Sequence, residues 1–220
     1  MRVDLTERAG WLTLGRVTTS AVPAPSGRAH QKERTRTAIV EAARSLIRSG
    51  TEMTMPRVAQ TARVSEATAY RYFPDLFSLV QEANVGLWPD PAEALAPVAA
   101  SADPVERIGF ATEFLLRGVA AYEGAVRAVI AGTVTRPTAA ATRPLHRFGL
   151  IDHALAPVAA EMAAADAAGW DQLRHGLAVV MSAEAYFTLT DLCGLPPDQA
   201  IASAADTART LVAAALRHVG

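Results

Sequence analysis

A short polar stretch near residue 70 carries side chains suited to contacts with a DNA duplex. Arg71 can pair with a guanine edge or a phosphate, and Thr68 can bond a base or pack its methyl group on thymine. Tyr70 and Tyr72 can donate to phosphates, which positions a helix without specifying sequence. Glu66 can accept a hydrogen bond from cytosine or repel an incorrect register. These residue types predict a surface that reads base edges and is anchored on phosphates.

Two short helices joined by a tight turn are expected to position these side chains. Thr54 can cap the first helix, with Pro56 in its first turn, and its hydroxyl and the free N–H groups there can hold a phosphate. Ser65 can cap the second helix, residues 66–73. This spacing predicts a helix-turn-helix over about residues 51–73, whose second helix enters the major groove.

The apolar positions predict which faces of these helices pack together. The expected inner face comprises Val58, Ala59, Val64, Ala67, Tyr70 and Phe73, and the expected outer face comprises Glu66, Thr68, Arg71 and Tyr72. The pattern alone is also compatible with a three-helix packing module that has a solvated outer face. Positive charge in the front part of the chain favours DNA, because up to Asp75 there are 12 Lys/Arg and 7 Asp/Glu, a net charge of +5, against 9 and 15, or −6, afterwards.

Composition and periodicity predict an all-α chain of 220 residues in three parts. Residues 1–30 show no sustained period and contain Pro23 and Pro25, so we expect a flexible arm. A helix is predicted from Thr35, and residues 31–78 form the DNA-binding domain. Residues 79–220 form a helical C-terminal domain with helices near 104–121, 123–134, 145–165, 170–193 and 198–218, the third bent or split at Pro157.

The remaining composition bears on compartment and on metal binding. The single cysteine, Cys193, cannot form an internal disulfide, which favours a reducing compartment. No window reaches the length of a membrane helix, and the first residues lack the order of a signal peptide. His146, His153 and His175 lack the spacing of a helical metal site. We therefore expect a cytoplasmic protein with no membrane partner, no metal and no cofactor.

Three segments of residues 34–83 are similar to the DNA-binding domain of the TetR family of transcriptional repressors. They are residues 39–46 (IVEAARSL), 58–65 (VAQTARVS) and 68–74 (TAYRYFP), of which the Tyr-x-Tyr-Phe-Pro ending is the most diagnostic. The resemblance implies an all-helical homodimer with three DNA-binding helices and a C-terminal domain that dimerises and usually holds a small effector. By the same resemblance, the DNA contacts come from Thr54, Arg57, Ser65, Glu66, Ala67, Thr68, Tyr70, Arg71 and Tyr72.

Two positions depart from that family pattern. Arg63 occupies the turn position usually held by glycine, so the chain either tolerates a strained positive φ, at about 1 kcal/mol, or makes a slightly different turn. Its guanidinium could add a phosphate contact. Leu76 replaces a lysine that commonly touches phosphate, and losing one such contact should flatten the salt dependence of binding by about one counterion.

The last two predicted helices carry apolar stripes suited to close helix packing. In 198–218 the stripe is Ile201, Ala204, Ala205, Ala208, Leu211, Val212, Ala215 and Val219, and in 170–193 it is Leu173, Leu177, Val180, Met181 and Phe187. As the resemblance implies, the two helices could form half of an intermolecular four-helix bundle. An internal helix pair in a monomer is the alternative.

Aromatic and acidic side chains of the C-terminal domain are the candidates for an effector pocket, because such pockets are mostly apolar with few polar groups. Glu184 falls on an apolar stripe, where a carboxylate needs a partner or must reach water. The candidates are Phe110, Phe114, Tyr122, Trp170, Glu184, Tyr186 and Phe187. The aromatic members can equally be plain core, and the sequence does not identify an effector.

The leading hypothesis is a homodimeric repressor that a small molecule releases from a double-stranded DNA operator. One alternative is a helical small-molecule carrier or enzyme with a vestigial DNA-binding head. Against that alternative, the sequence lacks a Gly-rich phosphate loop, metal spacing and a nucleophile–base set, so we expect no enzyme. A second alternative is an activator or architectural protein without an effector.

Overall fold

A computed structural model describes residues 27–86, 88–135 and 146–219 of the chain. Within these ranges all regular structure is helical, with twelve α-helices and no strand, which confirms the all-α prediction. The predicted arm lies outside the described residues except for its last four positions. Residues 27–30 belong to the first helix, so these four positions are not part of a flexible arm.

Four helices form the N-terminal unit, here called the head. They are α1 (Gly27–Arg48), α2 (Met55–Thr61), α3 (Glu66–Tyr72) and α4 (Leu76–Ala83). The first helix begins eight residues before the predicted Thr35, because its basic lead-in consists largely of residues that favour helix. Within this lead-in, the Arg34 guanidinium donates to Gln31 at 2.6 Å and the Thr35 hydroxyl donates to the Gln31 carbonyl at 3.0 Å.

The head has its own core, built from the apolar face of α1 and the inner faces of α2 to α4. Ile39, Val58, Phe73 and Leu79 are all buried in it. Two arginines of α1 also bind the end of α4. Arg36 pairs with Glu82, and Arg44 donates to the carbonyls of Ala83 and Val85 at 3.0 and 3.3 Å. These arginines therefore tie the first helix to the C-terminal end of the fourth.

The remaining helices form a second unit, here called the body. They are α5 (Pro91–Ala94), a 3-10 turn (Ala96–Val98), α6 (Pro104–Ala121), α7 (Glu123–Thr135), α8 (His146–Leu155), α9 (Ala159–Ala165), α10 (Ala167–Val180), α11 (Ala183–Phe187), a π-helical turn (Thr188–Leu192) and α12 (Pro197–Val219). The predicted split at Pro157 is confirmed, because this proline lies between α8 and α9.

The prediction of one continuous helix over 170–193 is wrong. Helix α10 ends at Val180, and Met181 adopts a non-helical ψ of 56°. The hydroxyl of Ser182 then accepts from the N–H of Ala185 at 3.0 Å and caps α11. A serine side chain that binds the backbone in this way competes with helix continuation, which explains the break.

Most of the apolar stripe of α12 packs inside the chain, where it is not available to a second copy, while Leu211 and Ala215 are half-buried. Ile201, Ala204, Ala208 and Val212 are all buried, against α6, α10 and α11. The structure thus favours the internal arrangement for this stripe over the intermolecular one. Alanine dominates the stripe because α12 approaches α6 closely along most of its length.

A buried arginine joins three segments of the body. Arg107 of α6 is only 5% exposed, and its guanidinium donates to the carbonyls of Val98, His153 and Ala154 at 2.9, 2.7 and 2.9 Å. Two longer bonds reach the carbonyls of residues 99 and 101. The charge is thus stabilised by backbone dipoles at the end of α8 and of the 3-10 turn.

Candidate nucleic-acid interface and body cavity

Side-chain caps fix the starts of the two motif helices as the sequence predicts. Thr54 Oγ1 accepts from the N–H of Arg57 at 3.4 Å at the start of α2. Ser65 Oγ accepts from the N–H of Thr68 at 3.2 Å at the start of α3 and also lies 2.9 Å from the Thr68 hydroxyl. The hydroxyl of Thr68 is therefore engaged by the cap in the absence of DNA.

The turn between α2 and α3 keeps the left-handed residue that a glycine would supply. Arg63 has a φ of +56°. The N–H groups of Arg63 and Val64 bind the carbonyls of Gln60 and Ala59 at 3.1 and 3.0 Å, so the chain reverses tightly. Of the two possibilities that the sequence left open, the chain adopts the strained conformation. The Arg63 side chain itself is exposed.

The predicted inner face of α3 is partly wrong. Ala69 and Phe73 are buried, and Tyr72 is half-buried against the head core. By contrast, Ala67 is exposed and Tyr70 is 47% exposed. Positions 69, 72 and 73 follow the i, i+3, i+4 spacing of one helical face, which places 67 and 70 on the opposite side. In so short a helix, the number of apolar residues alone does not fix which face is buried.

The outer surface of the motif is a continuous polar stripe. Its exposed members are Arg57, Ser65, Glu66, Ala67, Tyr70 and Arg71, while Thr54, Thr68 and Tyr72 are half-buried. The Arg71 guanidinium carbon lies 5.7 Å from the centre of the Tyr72 ring. This stacking holds the arginine above the helix surface and leaves its N–H groups for base edges or phosphates.

The fourth helix begins next to this stripe. Asp75 caps it, with Oδ1 accepting from the N–H of Ser78 at 2.7 Å. Leu76 is half-buried and packs against the head core. An apolar contact therefore stands where a lysine would face phosphate.

A cavity of about 110 Å³ lies in the body, next to the end of α4. It is bounded by α6, α7, the start of α8 and the break between α10 and α11. Most of its walls are apolar: Trp88, Leu115, Val119, Val126, Val129, Ile130, Met181 and Ala183. Its polar groups are Asn84, His146, Arg147, Ser182 and Glu184. We call this space the body cavity.

Only one of the seven predicted pocket residues, Glu184, lines the body cavity. Phe114 and Tyr122 lie behind its wall, in edge contact with Trp88 at 6.5 and 6.1 Å between ring centres. The others pack in the body core: Phe110 and Trp170 are partly buried, and Tyr186 and Phe187 are buried 5.4 Å from each other. The wall of this cavity is mainly aliphatic.

Trp88 is the aromatic residue that the sequence reasoning missed. Its indole lies directly on Gly118 of α6, where an added Cβ would come within 2.3 Å of the ring. It also stacks on His146, with 5.6 Å between ring centres and 25° between planes. Burial lowers the pKa of His146, so this imidazole is neutral near pH 7. The glycine four residues before Tyr122 was the available sequence signal for a close aromatic contact.

Two ionic side chains line the body cavity and differ in their surroundings. Arg147 Nη1 donates to the carbonyl of Ala178, near the end of α10, at 3.1 Å. Across the described residues, no carboxylate lies within ion-pairing distance of this guanidinium. Glu184 has one oxygen, Oε2, shielded from solvent, and the residue already has a polar or ionic contact in the structure. Of these two ions, Arg147 is therefore the one that can donate further hydrogen bonds to a ligand.

The cavity wall is continuous with the head. Asn84, the C-cap of α4, lines the cavity, and its N–H binds the Val80 carbonyl at 2.9 Å. Near the start of α4, Phe77 packs closely on Gly132 of α7. A Cβ added to Gly132 would lie 2.8 Å from the Cβ of Phe77. The cavity therefore borders the helix that completes the head core.

Two further searches covered the described parts of the chain. Among residues 27–86, 88–135 and 146–219, no group of three or more His, Cys, Asp or Glu side chains could hold a metal ion. In the same ranges, no helix is both long and apolar enough to cross a bilayer.

Comparison with known families matches residues 39–83 to bacterial regulatory proteins of the tetR family. No curated protein and no solved structure matched the chain. The matched residues run from the apolar face of α1 to the end of α4 and include both helices of the motif, their caps and the left-handed turn. Residues 39–83 are therefore similar to the helix-turn-helix DNA-binding domain of tetR-family regulatory proteins, and this similarity supports a DNA-binding transcriptional regulator.

Proposed function

We propose that the protein is a homodimeric repressor whose hold on its operator is released by a small molecule in the body cavity. The observation that carries this proposal is the position of Asn84, which both caps α4 of the head and lines the cavity. A ligand that alters this wall acts on α4, and α4 shares a core with the DNA-reading helix α3. Binding at one place is thereby coupled to binding at the other.

The proposed DNA contacts divide by exposure. In this proposal Arg71 and Glu66 contact base edges and Tyr70 and Arg57 contact phosphates, and the exposure of all four side chains supports it. Ser65, Ala67, Thr68 and Tyr72 of the motif, with Thr54 on α2, complete the proposed interface. Arg63 adds a phosphate contact from the turn.

The proposed dimer uses the outer faces of α10 and α12, because the inner stripe of α12 is buried within the chain. Val179 on α10 is 70% exposed, which is unusual for a residue of its type in a folded body. On the outer face of α12, Ala202, Ser203 and Thr207 are small and exposed, so a second helix can approach closely. The proposed dimer interface therefore uses the same two segments that the sequence predicts, but through their outer faces instead of their apolar stripes.

A matched pair of substitutions tests this interface. Val179→Glu should convert the protein to a monomer, because it places a charge at the centre of the proposed contact. Val134→Glu is the control, since Val134 is 72% exposed but lies on α7. Sedimentation equilibrium gives the mass of each variant. A dimer that survives Val179→Glu, or one lost equally in the control, would contradict the proposed face.

The operator is found by incubating the purified protein with fragmented DNA from its own source at moderate and high salt and sequencing what is retained. We expect an enriched, roughly palindromic site that is lost steeply as salt rises, because phosphate contacts release counterions. Arg71→Ala should lose this enrichment with the fold intact. Enrichment that persists in Arg71→Ala would show that α3 does not read the site.

Release by a ligand is tested by reciprocity. A small molecule that weakens operator binding must itself bind the DNA complex less tightly, by the same factor. A carrier with a vestigial head would bind its ligand equally well with and without DNA. A reporter gene placed behind the operator gives the sign of regulation, and transcription that rises with added protein would make the protein an activator.

A further inference from the structure

The body cavity has the size and walls for one compact apolar group. Its volume of about 110 Å³ is on the scale of the ~150 Å³ apolar cavity that admits a single benzene ring. The indole of Trp88 forms one side, and Leu115, Val119 and Ile130 form the aliphatic side. A molecule of single-ring size could cover these walls.

The ionic groups of the cavity decide which charge such a molecule should carry. Glu184 already has a polar or ionic contact in the structure, so its carboxylate does not need a cationic ligand as a partner. The Arg147 guanidinium donates one N–H to the carbonyl of Ala178 and forms no ion pair with a carboxylate among the described residues. A half-buried guanidinium beside apolar walls is stabilised by an anion with paired oxygens, which its planar fork binds in two parallel hydrogen bonds.

The other polar groups of the cavity add hydrogen bonds rather than charge. Burial keeps the imidazole of His146 neutral near pH 7. The hydroxyl of Ser182 donates to the Val179 carbonyl and accepts from Ala185, so it is occupied. Asn84 offers an uncharged amide. Arg147 is thus the residue that sets the preference for charge.

We propose that the body cavity binds a compact carboxylate of single-ring size, with its carboxylate on the Arg147 guanidinium and its apolar part against Trp88 and Ile130. The role of this molecule as the releasing effector rests on the proposed function, but its binding does not. Binding is therefore measured on the DNA-free protein.

The first measurement is calorimetric titration with three probes of one shape and different charge. Benzoate should bind, and benzamide, its neutral isostere, should bind at least about tenfold more weakly, because it loses a charge-assisted pair of hydrogen bonds. Benzylamine supplies the cation. Tighter binding of benzylamine than of benzoate would overturn the proposal, as would the absence of benzoate binding at about 10 mM.

Substitutions then locate the charge contact. Arg147→Gln should weaken benzoate binding at least about tenfold while benzamide binding stays within about twofold, and Arg147→Lys should fall between wild type and Arg147→Gln. Arg174→Gln is the matched control, since Arg174 also joins α10 to α8, through Asp152 at 2.8 Å, but does not line the cavity. Its benzoate affinity should equal that of wild type.

Two results separate this proposal from the proposed function. Benzoate affinity that is unchanged in a folded Arg147→Gln variant would refute the carboxylate contact whatever the protein does on DNA. Benzoate binding that depends on Arg147 but leaves operator affinity unchanged would uphold the contact and contradict release by this ligand class. An effect on operator affinity of about fivefold or more, absent in Arg147→Gln, would support both.

Discussion

Replacing Arg63 should change stability and DNA binding in opposite directions. The residue has a φ of +56°, a region that costs an L-residue about 1–2 kcal/mol and glycine almost nothing. Glycine gives back about 0.5–1 kcal/mol through its more flexible unfolded chain. Arg63→Gly should therefore raise the free energy of unfolding by about 0.5–1 kcal/mol. Arg63→Ala keeps the strain and should change that free energy by less than about 0.5 kcal/mol.

The effect on DNA should be the same in both variants, because both remove the proposed phosphate contact. Each contact contributes about 0.9 to the slope of log affinity against log salt, which corresponds to about eightfold in affinity at ~0.1 M salt. In a dimer the slope should fall by about 1.8.

Urea unfolding measures the stability of these variants, and fluorescence anisotropy with labelled operator at several salt concentrations measures the slope. Arg117→Ala, an exposed arginine of the body, is the control and should leave the slope unchanged. Equal stability of the Gly and Ala variants would refute the argument from backbone strain. An unchanged slope would refute the phosphate contact.

Three further outcomes follow from the body and from the start of α4. Arg107→Met should lower the free energy of unfolding by about 3 kcal/mol in urea, because it leaves several buried carbonyls without a donor; a loss below about 1 kcal/mol would show that water replaces the guanidinium. The pKa of His146 is lowered in the folded protein, so its contribution to stability is present above the unfolded-state pKa near 6.5 and is lost as pH falls below it. His146→Phe should therefore show a smaller loss of thermal stability than wild type between pH 7.5 and pH 5, and equal losses would contradict this. Leu76→Lys should steepen the salt slope of operator binding by about 0.9 per protomer while weakening the head core, which anisotropy and urea unfolding check separately.

Local signals in the sequence were sufficient for the caps, the turn and most helix boundaries. Thr54 and Ser65 bind backbone N–H groups three residues ahead, a contact that depends only on residue type and spacing. Likewise, the proline at 157 ends α8 whatever packs around it. The break at Met181 was missed because Ser182 can either continue a helix or cap a new one, and only packing decides between the two.

The cavity could not be predicted from the sequence, because it depends on contacts between distant segments. Trp88 reaches it by lying on Gly118, and Arg147 reaches it through a bond to Ala178, 31 residues later. Neither contact leaves a periodic pattern. Aromatic type instead pointed to Tyr186 and Phe187, which fill the core between α6 and α12.

The two arginines that bind α1 to the end of α4 also make α1 a lever, so a small rotation of α4 becomes a larger displacement at the start of α1. Arg44 lies 17 residues after Gly27, so at ~1.5 Å per residue the start of α1 lies about 25 Å from this attachment. A rotation of about 5° at α4 would therefore move the start of α1 by about 2 Å. That displacement is most of the length of a hydrogen bond. On the proposed function, such a rotation would withdraw the basic lead-in of α1 from a phosphate backbone without any helix having to unfold.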